Sequence, residues 1–109
     1  MKKITFLSSI IFFVFACGGG SDTSEVSADA LAKGKETFDK LCVACHGSDG
    51  EMSLNDAKKF SESTLSMEER ILVITNGKNM MTPYKTILSE QEIKDVAAYT
   101  VELTNAHKK

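Results

Sequence analysis

Two cysteines and a histidine lie within five residues of one another near the middle of the chain. Cys42 and Cys45 are three residues apart, and His46 follows directly. On an α-helix, residues three and four positions apart share one face, so all three side chains would leave the helix on the same side. Such a cluster could bind a metal ion, exchange disulfides or hold a covalently attached haem.

The spacing favours haem attachment over the other two kinds of chemistry. A structural zinc site needs four ligands, and the only other histidine is His107, which we expect in a C-terminal tail. A thioredoxin-like dithiol needs a βαβ setting, and the chain shows no strand pattern of any length. In a C-x-x-C-H arrangement, each sulfur bonds to the haem and the histidine reaches the iron. The sequence therefore predicts one haem c, attached through Cys42 and Cys45, with His46 as an axial ligand.

A buried haem iron usually takes a second axial ligand, and methionine is the candidate residue type. Four internal methionines are available: Met52, Met67, Met80 and Met81. Met67 lies in the first turn of a predicted helix, and Met52 is too close to His46 in the chain to reach the other face of the haem easily. Met80 and Met81 lie in a predicted link between two helices, where a loop can cross that face. Both of these remain candidates at this point.

The N-terminus has the pattern of an export signal. Two lysines precede an uncharged apolar stretch, residues 4–16, which is too short to cross a bilayer. The small residue directly before Cys17 makes the segment similar to a bacterial lipoprotein signal. We therefore expect residues 1–16 to be a signal peptide and Cys17 to carry a lipid. Residues 17–28 are rich in Gly, Ser and acidic residues, which predicts a flexible tether.

The charge balance bears on possible partners. Loss of the two leader lysines changes the formal net charge from −2 to −4, because all 15 acidic residues lie in the rest of the chain. Nucleic-acid binding needs a basic face, so no nucleic-acid partner is expected. Attraction to anionic lipid is not expected either, so membrane association would depend on the lipid anchor.

The remaining residues predict one small all-α domain. We assign residues 29–106 to this domain and residues 107–109 to a C-terminal tail. A core of this size is usually marginal without a disulfide, a metal or another covalent constraint. A covalently attached haem would supply it, so the predicted fold has three to four helices around the haem.

Capping signals place the helices. Ser27 or Asp29 can cap a first helix that runs into the cysteine cluster and ends at its far side. Capping boxes begin at Ser66 and at Ser89, where a Glu follows three residues later, and each predicts the start of a further helix. A short turn of helix is expected over residues 55–60.

Gly34 lies inside the first predicted helix, where glycine costs about 1 kcal/mol relative to alanine. The missing side chain would allow another helix to approach closely. We expect the final helix to cross the first one there, with Phe38 and Tyr99 filling the sides of the crossing.

Taken together, these motifs resemble those of the class I c-type cytochromes. The matching features are Gly34 and Phe38, residues 42–50, residues 76–84, residues 88–93, and Tyr99. In that family, the methionine ligand usually follows a glycine after three intervening residues, and an aromatic residue lies three positions further on. Counting from Gly77, the resemblance implies Met81 as the ligand, with Tyr84 in the aromatic position.

The chain also departs from the family pattern. Thr82 separates Met81 from Pro83, whereas many members have proline directly after the methionine. No proline lies between His46 and the methionine loop, so the usual acceptor for the ring N–H of the histidine is missing. We expect a backbone carbonyl within residues 51–56 to accept that hydrogen bond instead.

An iron with two protein ligands has no open position for a substrate, so the predicted function is electron transfer rather than catalysis. The expected protein is a monomeric, lipid-anchored, monohaem c-type cytochrome on the periplasmic side of a bacterial membrane. It would carry single electrons between redox partners of a respiratory chain, such as a quinol-oxidising complex or a terminal oxidase. A haem-bearing subunit of a larger oxidoreductase and a gas-binding or peroxide-reducing haem protein are the alternatives.

Overall fold

The computed structural model describes residues 25–109, and within them the predicted all-α class is confirmed. This part of the chain forms four α-helices: α1 (Ala28–Leu41), α2 (Val43–His46), α3 (Met67–Asn76) and α4 (Glu90–Ala106). Two short 3₁₀ turns, Leu54–Asp56 and Phe60–Glu62, lie between α2 and α3. The predicted signal peptide and Cys17 lie outside the described residues.

Helix starts follow the predicted caps. The Ser27 hydroxyl accepts a hydrogen bond from the Ala30 N–H at 3.1 Å and begins α1. Both predicted capping boxes form, at Ser66 for α3 and at Ser89 for α4. Each box satisfies backbone N–H groups that have no partner inside the helix, so these boundaries depend on local chemistry alone.

Two boundaries differ from the prediction. The first helix ends before Cys42, and α2 begins directly after it. At this junction, the Cys45 N–H donates to the Cys42 carbonyl at 3.2 Å. The single turn expected over residues 55–60 is instead the pair of 3₁₀ turns, because Asn55 and Asp56 have φ angles of 55° and 61°. Two successive left-handed residues cannot continue a right-handed helix.

The core forms where α4 crosses α1. Phe38, Val96 and Ala97 are almost completely buried. A Cβ atom on Gly34 would lie only 2.1 Å from the backbone carbonyl oxygen of Asp95 in α4, which confirms the predicted close approach. Phe38 and Tyr99 pack edge-to-face beside the crossing, with ring centroids 5.4 Å apart. This crossing holds the end of α1, and hence the cysteine cluster, against the rest of the domain.

Candidate haem site

The cysteine cluster opens onto a cavity. Cys42, Cys45 and His46 all line this cavity, which has a volume of about 480 Å³. That volume lies in the range of about 300–1,000 Å³ that is typical of cofactor and ligand sites. Among residues 25–109, Cys42 and Cys45 form no disulfide. The two thiols and the imidazole that the sequence singled out therefore face one shared space.

Both methionines of the candidate loop also line the cavity, but they differ in burial. The Met80 side chain is 70% exposed, whereas Met81 is half-buried and packs against the hydrophobic core. A side chain that is packed on one side and lines the cavity on the other has a restricted position. The geometry thus agrees with the count from Gly77 that selected Met81.

A tight turn and two anchors position the methionine loop. The Met81 N–H donates to the Lys78 carbonyl at 3.0 Å, so the chain turns sharply just before the methionine. On the far side, the Tyr84 N–H donates to the Ile74 carbonyl of α3 at 3.0 Å. The Tyr84 hydroxyl donates to the Leu41 carbonyl at the end of α1 at 3.1 Å. The loop is therefore tied to both helices that border the cavity.

Packing against an aromatic ring holds the His46 imidazole. It stacks on Phe60, with ring centroids 4.9 Å apart and an interplanar angle of 28°. Burial lowers the pKa of His46, which favours the neutral imidazole that a metal requires. Phe60 was not among the predicted site residues, because nothing in the local sequence shows that it returns to the histidine.

The expected acceptor for His46 is not found. Within residues 25–109, the Nδ1 atom is buried and has no hydrogen-bond partner, so no carbonyl of residues 51–56 accepts from it and the predicted acceptor was wrong. Burial lowers the pKa of His46, and a smaller effect of the Lys58 backbone raises it.

The state of the cysteines argues against disulfide exchange. Burial, with a smaller contribution from Cys45, raises the pKa of the Cys42 thiol to about 11. Exchange needs a thiolate, and reactive cysteines have depressed pKa values in electropositive surroundings. Within residues 25–109, no group of three or more His, Cys, Asp and Glu side chains could hold a metal ion. The raised pKa of Cys42 therefore disfavours disulfide exchange at this site.

The loop after the cluster closes over the site through specific contacts. Phe60 lies directly against Gly50, where a Cβ atom would approach the ring within 2.3 Å. Glu51 accepts hydrogen bonds from the Ser61 N–H at 2.9 Å and the Ser61 hydroxyl at 2.8 Å. These bonds lower the pKa of Glu51. They keep Phe60 in place beside the histidine.

His107 is anchored rather than part of a free tail. Its Nε2 atom lies 2.8 Å from the Asp49 carbonyl oxygen and 3.6 Å from a Glu51 carboxylate oxygen. The ring reaches this loop because α4, which ends at Ala106, brings its C-terminal end close to it.

The residues present fit a covalently attached haem. The thiol pair, the buried imidazole with an unpaired Nδ1 and a packed methionine sulfur all border one cavity. Such a donor set is the one that c-type cytochromes use. The fold and this site define a monohaem cytochrome c.

Comparison with known proteins gives the same class. The family model described as "Cytochrome C oxidase, cbb3-type, subunit III" matches residues 29–99. The chain therefore belongs to the class I c-type cytochromes. It is an electron carrier rather than an enzyme, it has one covalently bound haem c, and its partners are redox proteins.

Individual relatives are cytochromes of the c6 type. A cytochrome c6-like protein of Nostoc sp. is 38% identical over 86 residues, which cover 73% of this chain and 77% of the relative. The cytochrome c6 of Leptolyngbya boryana is 37% identical over 81 residues, covering 69% and 93%. The solved structure of cytochrome c6 from the diatom Phaeodactylum tricornutum superposes with a TM-score of 0.63 at 28% identity, covering 71% of this chain and 97% of that one.

Proposed function

We propose that Cys42 and Cys45 attach the haem and that His46 and Met81 are its two axial ligands. The observation that carries this assignment is the single cavity that all four side chains border. When bound, the haem supplies an iron that stores one electron. His46 presents a neutral nitrogen, and Met81 presents a sulfur that favours the reduced state. With both of these residues bound to the iron, no position would be left for a substrate.

The surrounding residues keep these ligands still during electron transfer. Phe60 stacks on the His46 ring, and the hydrogen bonds of Tyr84 tie the Met81 loop to α1 and α3. Ligands that do not move between redox states lower the energy needed to reorganise the site. The fold thus serves the function by restricting the motion of both proposed ligands.

Paired methionine variants test the ligand assignment. In the oxidised protein with haem attached, a methionine–iron bond gives a weak absorption band in the far red. We expect Met81→Ala to abolish this band, since Met81 is packed at the cavity. The neighbouring variant Met80→Ala should keep it, because that side chain is largely exposed. The opposite result would assign the ligand to Met80.

The protein is proposed to act from a lipid anchor at the periplasmic side of a bacterial membrane. The support is the N-terminal pattern, in which an apolar stretch ends at Cys17. Residues 17–28 would tether the domain and raise its effective concentration near membrane-bound partners. No helix within residues 25–109 is long and apolar enough to cross a membrane.

Cell fractionation tests the anchor. The wild-type protein should sediment with membranes, and Cys17→Ser should move the haem-stained protein to the soluble periplasmic fraction. The variant Gly18→Ala, at the neighbouring position, is the control and should stay with the membranes. Retention of Cys17→Ser in the membrane fraction would refute lipid anchoring through this residue.

The proposed role is to carry single electrons between respiratory-chain components. This role rests on the proposed axial ligation, which leaves no open iron position. Carbon monoxide added to the reduced protein separates the carrier from a gas-binding or peroxide-reducing protein. A carrier should resist binding at neutral pH, whereas rapid binding would refute this role. Reduction by membranes that oxidise quinol, followed by oxidation through a terminal oxidase, would identify the partners.

The second candidate function is that of a haem-bearing subunit bound permanently in a larger oxidoreductase. It is favoured by one observation, the match of residues 29–99 to a family described as an oxidase subunit. Mild detergent extraction followed by size-exclusion chromatography separates the two candidates. A carrier should elute as a monomer, whereas a subunit should co-elute with other chains in a fixed ratio.

A further inference from the structure

Arg70 is a buried cation on the wall of the haem cavity. Its side chain is only 6% exposed, and it lines the same space as the cysteine cluster and Met81. Among residues 25–109, no carboxylate lies within ion-pair distance of its guanidinium. Burial lowers the pKa of Arg70, but a guanidinium stays charged in proteins. Within residues 25–109, the wall of the cavity thus has a positive charge that no protein carboxylate neutralises.

Neutral acceptors surround the guanidinium on several sides. Its Nε donates to the Leu65 carbonyl, its Nη1 to the Thr100 hydroxyl, and its Nη2 to the hydroxyls of Ser63 and Thr104, all at 3.1 Å. These bonds use four of its N–H groups. A side chain held in this way has little freedom to move, so its charge is fixed in position.

The two threonines are oriented to accept from the cation. The Thr100 hydroxyl donates to the Ala97 carbonyl at 2.7 Å, and the Thr104 hydroxyl donates to the Thr100 carbonyl at 3.0 Å. Each proton is thus directed into α4, which leaves the oxygen lone pairs for Arg70. The geometry is that of a prepared site for a cation rather than of an accidental contact.

Fold stability alone does not account for this arrangement. A buried charge without an opposite charge is costly, and apolar residues of similar volume usually stabilise a core at least as well. Arg70 also lies near the N-terminal end of α3, where the helix dipole disfavours a positive charge. The charge therefore needs a reason outside the packing of the helices.

We propose that Arg70 raises the reduction potential of the haem by stabilising the reduced iron electrostatically. This inference rests on the proposed placement of the haem in the cavity. Reduction adds one electron to the iron and removes one positive charge from it. A fixed cation nearby favours the state with less positive charge, and the effect is large where water is excluded. Arg70 is thus a determinant of the direction in which this carrier exchanges electrons.

Redox titration of the wild type and four variants, all with haem attached, tests the inference. Arg70→Gln and Arg70→Met remove the charge, and the methionine variant puts an apolar side chain of similar length in its place. Arg70→Lys keeps the charge but loses the planar fork of hydrogen bonds. Lys94→Gln removes an exposed cation from α4 and is the control for net charge. Melting temperatures are measured on the same samples.

At a fixed potential, we expect the reduced-to-oxidised ratio of both neutral variants to fall roughly tenfold, which corresponds to about 59 mV for a one-electron couple. Lys94→Gln should change the ratio less than about twofold because water screens its charge. Arg70→Lys should keep a ratio close to that of the wild type while its melting temperature falls. The potential should thus follow the charge, and the stability should follow the hydrogen bonds.

Several results would overturn the inference. Neutral variants with an unchanged potential, or a shift in Arg70→Lys as large as in Arg70→Gln, would show that Arg70 acts only through structure. Neutral variants that never acquire haem would also show that Arg70 has a structural role, because the cavity would then need its hydrogen bonds to accept the haem. Failure of the proposed ligands is distinguishable, because it would appear in the wild type as a missing far-red band.

Discussion

Replacement of Gly77 by alanine should act directly on the proposed axial methionine. Gly77 ends α3 with φ 71° and ψ 170°, a conformation that is essentially restricted to glycine. A Cβ atom built there would lie 2.4 Å from the Met81 carbonyl oxygen and 2.9 Å from the Pro83 nitrogen. Both obstacles are backbone atoms of the loop, so they cannot give way by a change of rotamer.

The size of the effect follows from two costs. The backbone conformation costs about 1–3 kcal/mol for a residue other than glycine. An atom forced into occupied space costs about 1–3 kcal/mol more. The lower ends of both costs together amount to about 2 kcal/mol, which lowers the melting temperature of a domain of this size by roughly 8–16 °C. Displacement of the loop relieves part of this cost, and Met81 moves with it.

Two measurements on oxidised protein with haem attached separate the effects. Circular dichroism gives the melting temperature, and absorption in the far red reports the methionine–iron bond. Gly77→Ala should lower both. Gly34→Ala is the matched control, because its clash is with the Asp95 backbone in α4 rather than with the loop; it should lower only the melting temperature. A Gly77→Ala protein with full far-red absorption and an unchanged melting temperature would refute the reasoning.

Three further predictions concern the contacts around the site. For Gly34→Ala, overpacking against Asp95 costs about 1–3 kcal/mol and exceeds the gain of about 1 kcal/mol in helix propensity, so thermal unfolding should occur earlier; a higher melting temperature would contradict the close crossing. The hydrogen bonds from Ser61 lower the pKa of Glu51, so their contribution to stability is present above the ordinary Glu pKa of about 4.3 and is lost as the pH falls. In urea unfolding, the difference between wild type and Ser61→Ala should shrink from about pH 7 to about pH 3, and a constant difference would exclude this linkage. Tyr84→Phe removes the hydroxyl bond to the end of α1 and should cost about 0.5–1.5 kcal/mol in the same assay; an unchanged free energy of unfolding would show that this bond does not anchor the loop.

Features with a local cause could be predicted from the sequence. The capping boxes at Ser66 and Ser89 depend only on residues three positions apart, and both form as expected. The alignment of Cys42, Cys45 and His46 toward one space follows from helical spacing in the same way. Gly34 was interpretable because an unfavourable residue inside a helix needs a packing reason.

Features with a distant cause were accessible only in the tertiary structure. Phe60 reaches His46, the His107 ring reaches the loop after the cysteine cluster, and Arg70 meets the threonines of α4. Each contact joins residues that are far apart in sequence, and each depends on how α4 packs across the domain. Spacing along one helix determines which side chains share a face, but only the packing of several elements determines what that face meets. The sequence alone thus determined the haem-binding motif, whereas the packing of the helices decided which residues surround the haem cavity.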